Sequence, residues 1–256
     1  MHKNSAIKSF FIEIGELIYF AGRFFKEVFS RPFEFKELLR QCYNIGNRSI
    51  LLIGVTGFII GLVLTLQTRP TLQEFGAESW MPSMVSISII REIGPVIIAL
   101  TFAGRIASGI GAELGSMRVT EQIDAMEVSG TNPFKFLVIT RILAATIMLP
   151  ILVIFGDAIA LYGSYIIENA KGDVSFVLYF NKVFKTLEFS DLIPATIKTF
   201  FFGFAIGLVG CFKGYNCKKG TVGVGKAANS AVVYASMLLF ILDFIAVFIT
   251  DIFFEI

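Results

Sequence analysis

The sequence predicts an all-α integral membrane protein. It reads as an N-terminal amphipathic helix at the membrane interface, about five transmembrane helices, and a short cytoplasmic helix between two of them. Three observations predict this. Hydrophobic residues make up 55% of the 256 and charged residues only 16%, with a mean hydropathy of +0.75, whereas a soluble domain of this size needs far more polar surface. Five apolar segments are each long enough to cross about 30 Å of hydrocarbon at roughly 20 residues per span. Between the second and third lies a compact acidic stretch bounded by Thr120 and Gly130.

Residues 1–40 form the interfacial region and 41–256 the membrane domain. In the first, Ile7, Phe10, Phe11, Ile14, Leu17, Ile18, Phe24, Phe25 and Val28 recur at helical spacing, with Glu13, Glu16, Arg23, Lys26 and Glu27 mostly between them. A polar stripe on such a helix favours the cytoplasmic interface over a sixth span, the alternative being a helix packed on the protein itself. Arg31-Pro32 ends it. Charges run throughout the first 48 residues, unlike a cleavable signal peptide.

The spans fall near 49–66, 85–112, 136–167, 192–212 and 231–251. The second starts at 85 or only after Glu92, and the third is long enough to tilt or project. A cytoplasmic N-terminus puts 16 of the 22 Lys and Arg residues inside. The positive-inside rule therefore predicts N-in, C-out topology.

The second span has two faces. Ala99, Ala103, Ala107, Gly111 and Gly115 form an every-fourth-residue stripe of small side chains that lets another helix approach closely. Arg91, Arg105 and Glu113 fall within an arc of roughly 80° on the other side, provided Pro95 does not rotate the segment. Charges inside a bilayer helix are costly and are usually kept for a function; the plainer reading is that Arg105 and Glu113 snorkel at the cytoplasmic end. Asp157 and Asp243, in the third and fifth spans, each cost about 2.5–3.5 kcal/mol at the bilayer centre. Neither has the Gly-x-Gly-Asp context of an intramembrane aspartyl protease, so polar contacts between helices or a wet cavity lining is the expectation.

The segment 120–129 predicts a short helix with Thr120 as N-cap, Glu121 and Asp124 near its positive start, and Gly130 as its stop. Glu121, Asp124 and Glu127 share one side, and an exposed Ile123–Met126 pair on another makes a protein-docking surface, the alternative being a loop helix packed on its own domain. In the 213–226 connection, Gly220 to Lys226 has P-loop spacing, but Ala227 replaces the magnesium-binding hydroxyl and no strand precedes it. A glycine-rich cytoplasmic loop is expected instead, with Lys213, Lys218 and Lys219 facing anionic lipid headgroups.

A net charge of +2 without a basic run argues against a nucleic-acid partner. His2 is the only histidine, and Cys42, Cys211 and Cys217 have no CxxC spacing. No metal site, catalytic set or bound cofactor is therefore expected, and any ATP must be handled by another chain.

Several ordered motifs carry a resemblance. Glu92-x-Gly94-Pro95, Ala103-Gly104-Arg105, Ala112 through Met117, Glu121-x-Ile123-Asp124-Ala125-Met126 and Leu137-Val138-x-x-Arg141 resemble the signature of the MlaE/YrbE permeases. The likeness runs from about residue 40 to the end. One departure is Thr140, where many members have proline. The resemblance implies a homodimeric ABC-transporter permease in a bacterial inner membrane that moves phospholipid or a related lipid. It also implies a separate cytoplasmic ATPase using ATP and Mg, and MCE-domain lipid-binding proteins as partners. Glu121, Ile123, Asp124, Ala125 and Met126 would then form the coupling helix, and Arg91, Glu92, Arg105 and Glu113 would be candidates for the lipid path. An ion- or proton-coupled secondary transporter using Asp157 and Asp243 is the alternative.

Overall fold

The computed structural model describes residues 3–31, 33–218 and 220–254. The expectations placed on His2, Pro32 and Lys219, and on the side chains of Ile7 and Phe10, lie outside the described residues. The elements are α1 (Lys3–Val28), α2 (Phe35–Glu74), α3 (Met81–Ser88), α4 (Gly94–Val119), α5 (Gln122–Val128), α6 (Thr140–Gly172), α7 (Phe176–Thr186), α8 (Phe189–Tyr215) and α9 (Thr221–Phe254). No strand occurs among the described residues.

Five helical stretches are long and apolar enough to cross a membrane: Phe35–Glu74, Glu78–Val119, Phe134–Gly172, Phe189–Tyr215 and Thr221–Ile252. All five extend past the apolar cores read from the sequence. The 40 residues of α2 cover about 60 Å, twice the hydrocarbon thickness, so its ends project. The second span is compound: α3 passes through a wide π turn at Ile89–Ile93 into α4, with Pro95 at its start.

Close backbone approach holds the bundle together, because apolar burial gives helices little drive to associate in lipid. A Cβ on Gly61 of α2 would overlap the Ala160 carbonyl of α6, so only glycine allows that spacing. On α4, Ala99, Ala103 and Ala107 are fully buried. Gly111 lies against Ala228 and Ala231 of α9, and Gly115 against Cys217 and Val224.

One face of α1 is seated on the bundle. Phe20 and Phe24 are buried, with Phe20 meeting Phe134 and Phe212 edge-on at 5.1 and 5.6 Å. Arg23 stacks over the Phe134 ring at 4.0 Å. Another face leaves Ile18 and Tyr19 uncovered, as an interfacial helix requires. The helix ends at Val28, ahead of Arg31-Pro32, in a turn that the Ser30 hydroxyl closes by donating to the Glu27 carbonyl at 2.7 Å.

Two expectations need correction, and one element is new. The glycine-rich segment after α8 is not a loop: Gly220, at φ +98°, makes the corner, and residues 221–226 already belong to α9. Thr120 does not cap α5. The preceding helix runs to Val119, the Thr120 hydroxyl donates back to the Ser116 carbonyl at 2.9 Å, and the left-handed Glu121 redirects the chain into α5. The new element lies in the connection between the third and fourth spans, which folds as α7 and buries Tyr179 and Val183 against α3. The Tyr179 hydroxyl donates to Ser164 at 2.7 Å, and burial pushes its phenol up to about 12.

Candidate functional site

At the α7 end of the bundle, the π turn presents two consecutive charged residues to α8. Arg91 Nε donates to Asp191 Oδ1 at 2.6 Å. Lys198 Nζ donates to Glu92 Oε2 at 2.6 Å and to Asp243 Oδ1 at 3.0 Å, joining the second, fourth and fifth spans through one ammonium. Asp191 also closes the start of α8 by accepting from the Glu188 backbone at 3.0 Å. The π turn thus carries two consecutive residues that both reach α8, Arg91 to Asp191 and Glu92 to Lys198. Each of these charges is expensive in hydrocarbon, and pairing offsets that cost.

The cluster is open. Arg91 and Glu92 keep 37% and 42% of their side-chain surface exposed, whereas Lys198 keeps 6%. They line a cavity of about 220 Å³ with Asp191, Pro194 and Asp251. An apolar groove of about 370 Å³ between α8 and α9 adjoins it, walled by Ile193, Ile197, Phe201, Ile245 and Ile249. Pro194, Lys198, Ala246 and Thr250 line both spaces. The result is one amphipathic recess with an ionic head and a hydrocarbon wall.

Of Arg91, Arg105 and Glu113, expected to share one arc, the first lies apart from the other two. Arg91 and Glu92 sit at this recess, while Arg105 and Glu113 line a different cavity near α5, with Arg105 roughly 20 Å further along the helix axis. Glu113 accepts from Arg141 at 2.7 Å. The expected arc took no account of height along the helix, which puts Arg91 and Arg105 in different cavities. Asp157 and Asp243 also part company. Asp157 lines a small cavity of about 160 Å³ with Pro95, Pro150 and Thr199, with Oδ1 buried and unpartnered among the described residues.

A second candidate surface is α5. Ile123 is fully buried, so the exposed Ile123–Met126 docking pair needs correction: Ile123 is the root of the helix, and Met126 is half-buried. Asp124 accepts from Arg118 at 2.5 Å. Ala125, Glu121 and Glu127 face outward, and Val128 is 91% exposed. The stop at Gly130 holds, with φ +82° and the Thr131 amide donating to the Met126 carbonyl at 3.0 Å.

Lys198, Asp191 and Val128 were not singled out from the sequence. A signal existed for the first, since Lys198 is the only charged residue between Asp191 and Lys213. Val128 gave none beyond being apolar at a helix end.

Residues 38–249 match the family model described as "Permease MlaE". A "Probable ABC transporter permease protein" of Rickettsia felis is 37% identical over 243 residues, covering 95% of this chain and 93% of that one. The "Intermembrane phospholipid transport system permease protein MlaE" of Haemophilus influenzae is 34% identical over 212 residues, covering 82% and 81%. A cyanobacterial "Probable ABC transporter permease protein" from Synechocystis is 30% identical over 226 residues, covering 88% and 86%.

Proposed function

Because the chain belongs to the MlaE permease family and is a multi-pass membrane protein, we propose that it is the membrane subunit of an ABC transporter moving phospholipid. The observation that carries this reading is the recess between α8 and α9. Its apolar wall suits acyl chains. Its head carries both signs, with Arg91 and Lys198 against Glu92, Asp191, Asp243 and Asp251, which suits a zwitterionic headgroup: Arg91 meets the phosphate and the exposed carboxylates meet the ammonium.

Two copies assemble around a central lipid cavity in a bacterial inner membrane, N-terminus in the cytoplasm and C-terminus in the periplasm. A separate cytoplasmic ATPase, using ATP and Mg, docks on α5 and levers it through buried Ile123. An MCE-domain protein exchanges lipid at the opposite end. The proton-coupled alternative draws little support from geometry, since Asp243 is held by Lys198 while Asp157 lies in a separate cavity.

The test is to purify the transporter complex from native membrane and identify retained phospholipid by mass spectrometry, comparing the wild type with Ile197→Trp/Ile245→Trp. The variant fills the groove without touching the ionic head. Assembly with the ATPase should persist while retained lipid drops at least fivefold. Undiminished lipid in the assembled variant would place the cargo elsewhere and end this reading.

A further inference from the structure

A second cavity, of about 630 Å³, opens between α2, α4 and α6 at the α5 end. Arg40, Arg48, Arg105 and Arg141 line it, with Glu37 and Glu113. Both carboxylates are engaged. Glu113 accepts from Arg141 at 2.7 Å, and Glu37 accepts from Gln41 at 2.7 Å and lies 3.7 Å from Arg40. Arg48 and Arg105 make no hydrogen bond or ion pair among the described residues, so the cavity holds two uncompensated positive charges.

The fourth arginine is the more telling one. Arg141 is 3% exposed; Nη1 donates to the Leu137 carbonyl at 2.9 Å, yet Nε has no partner among the described residues. Leaving a buried charged donor unsatisfied costs more than an ordinary lost hydrogen bond. Gln41 and Asn44 add polar groups to the wall, and the rest of it, including Ile45, Ile106 and Phe136, is apolar.

Depth narrows the ligand. The uncharged stretch 49–68 of α2 begins directly after Arg48, so the cavity mouth lies where headgroups meet hydrocarbon on the α5 side. Guanidinium forks match phosphate oxygens two at a time, and basic pockets between transmembrane helices suit anionic headgroups.

We propose that this cavity is a binding site for a phosphate-bearing anion, separate from the cargo recess, which takes an anionic lipid headgroup from the α5-side leaflet or, with the same chemistry, free phosphate. The inference rests on the membrane embedding of the chain and does not depend on what the α8–α9 groove carries.

Intact complex is placed in nanodiscs of phosphatidylcholine alone, of phosphatidylcholine with phosphatidylglycerol, or of phosphatidylcholine with inorganic phosphate added. Thermal midpoint and lipid retained in native mass spectra are read for wild type, Arg48→Gln/Arg105→Gln, and Lys218→Gln/Lys226→Gln, which alters a different basic cavity. Phosphatidylglycerol should raise the wild-type midpoint, and its retention should fall at least tenfold in the arginine variant and less than twofold in the lysine variant. Stabilisation by phosphate alone, lost in the arginine variant, supports the site with free phosphate as its ligand. Equal retention and equal midpoints in wild type and arginine variant, or no effect of either anion on wild type, overturns the proposal. Should the double variant fail to assemble, Arg48→Gln alone carries the same criteria.

Discussion

At the residue scale, Lys198 is the junction of the ionic head. It is 6% exposed and touches carboxylates from two other spans, Glu92 and Asp243. Replacing it with methionine keeps length and removes the ammonium, leaving two carboxylates facing each other in a membrane helix bundle. Removing one partner of a buried ion pair typically costs about 3–5 kcal/mol. The exposure of Glu92 places Lys198→Met at the lower end, about 3 kcal/mol in reversible unfolding in mixed micelles. Adding Glu92→Gln/Asp243→Asn should recover part of that loss; no recovery would mean that the ammonium acts through packing rather than charge. The sequence showed each of these charges but not their partners. Arg91 and Asp191 are 100 residues apart, and Lys198 and Glu92 are 106 apart, beyond any helical periodicity. Counting at 100° per residue also could not register the π turn at Ile89–Ile93.

At the element scale, α1 and α5 make opposite predictions. The first is latched to α8 and α9 by Glu13, which accepts from Lys213 and from the Tyr234 hydroxyl at 2.7 Å. Burial alone would raise the Glu13 carboxyl, but the Lys213 and Tyr234 contacts outweigh it and hold the carboxyl below the ordinary value of 4.5. A depressed carboxylate contributes stability above its unfolded value and loses it as pH falls through the folded one. Protection of the α1 amides, with the intrinsic pH dependence of exchange divided out, should therefore be flat from pH 7 to about 5 and fall only below about 4.5. Glu13→Gln should remove that step, and a step that survives the substitution assigns the latch to another group. In α5, Val128→Asp alters an exposed side chain and Ile123→Asp a buried one. Val128→Asp should reduce ATPase co-purification at least tenfold at unchanged thermal stability, whereas Ile123→Asp should lower both. If Val128→Asp leaves ATPase capture intact, the α5 face is not the docking surface. Periodicity made the helix legible and Gly130 its stop, but not which side faced in, because burial of Ile123 is decided by residues outside 120–130. The 11-residue helix α7 escaped for a related reason: its stripe of Tyr179 and Val183 is too short to stand out until α3 supplies the surface it covers.

At the scale of the whole molecule, coverage is uneven across the five spans. In the most apolar window of the third, 67% of residues are buried within the chain; in that of the fifth, 11%. Met237, Phe240, Phe244 and Phe248 of α9 are all exposed, on the helix that forms one wall of the recess. Lipid alone tolerates such a surface, so exposure by itself does not call for a protein partner. For the proposed pair of copies the recess is the place to look: one of its walls has no outer cover in a single copy, and an isologous contact between two α9 helices would enclose both recesses about one axis. Phe240→Cys, introduced after Cys42, Cys211 and Cys217 are replaced by serine or alanine, should cross-link one copy to another in native membrane with a short bifunctional thiol reagent. Ile151→Cys, equally exposed on α6 but away from α9, should remain monomeric on denaturing gels. Cross-linking at neither position, in a complex whose mass still requires two copies, would mean that the copies meet through another face and leave α9 to the lipid.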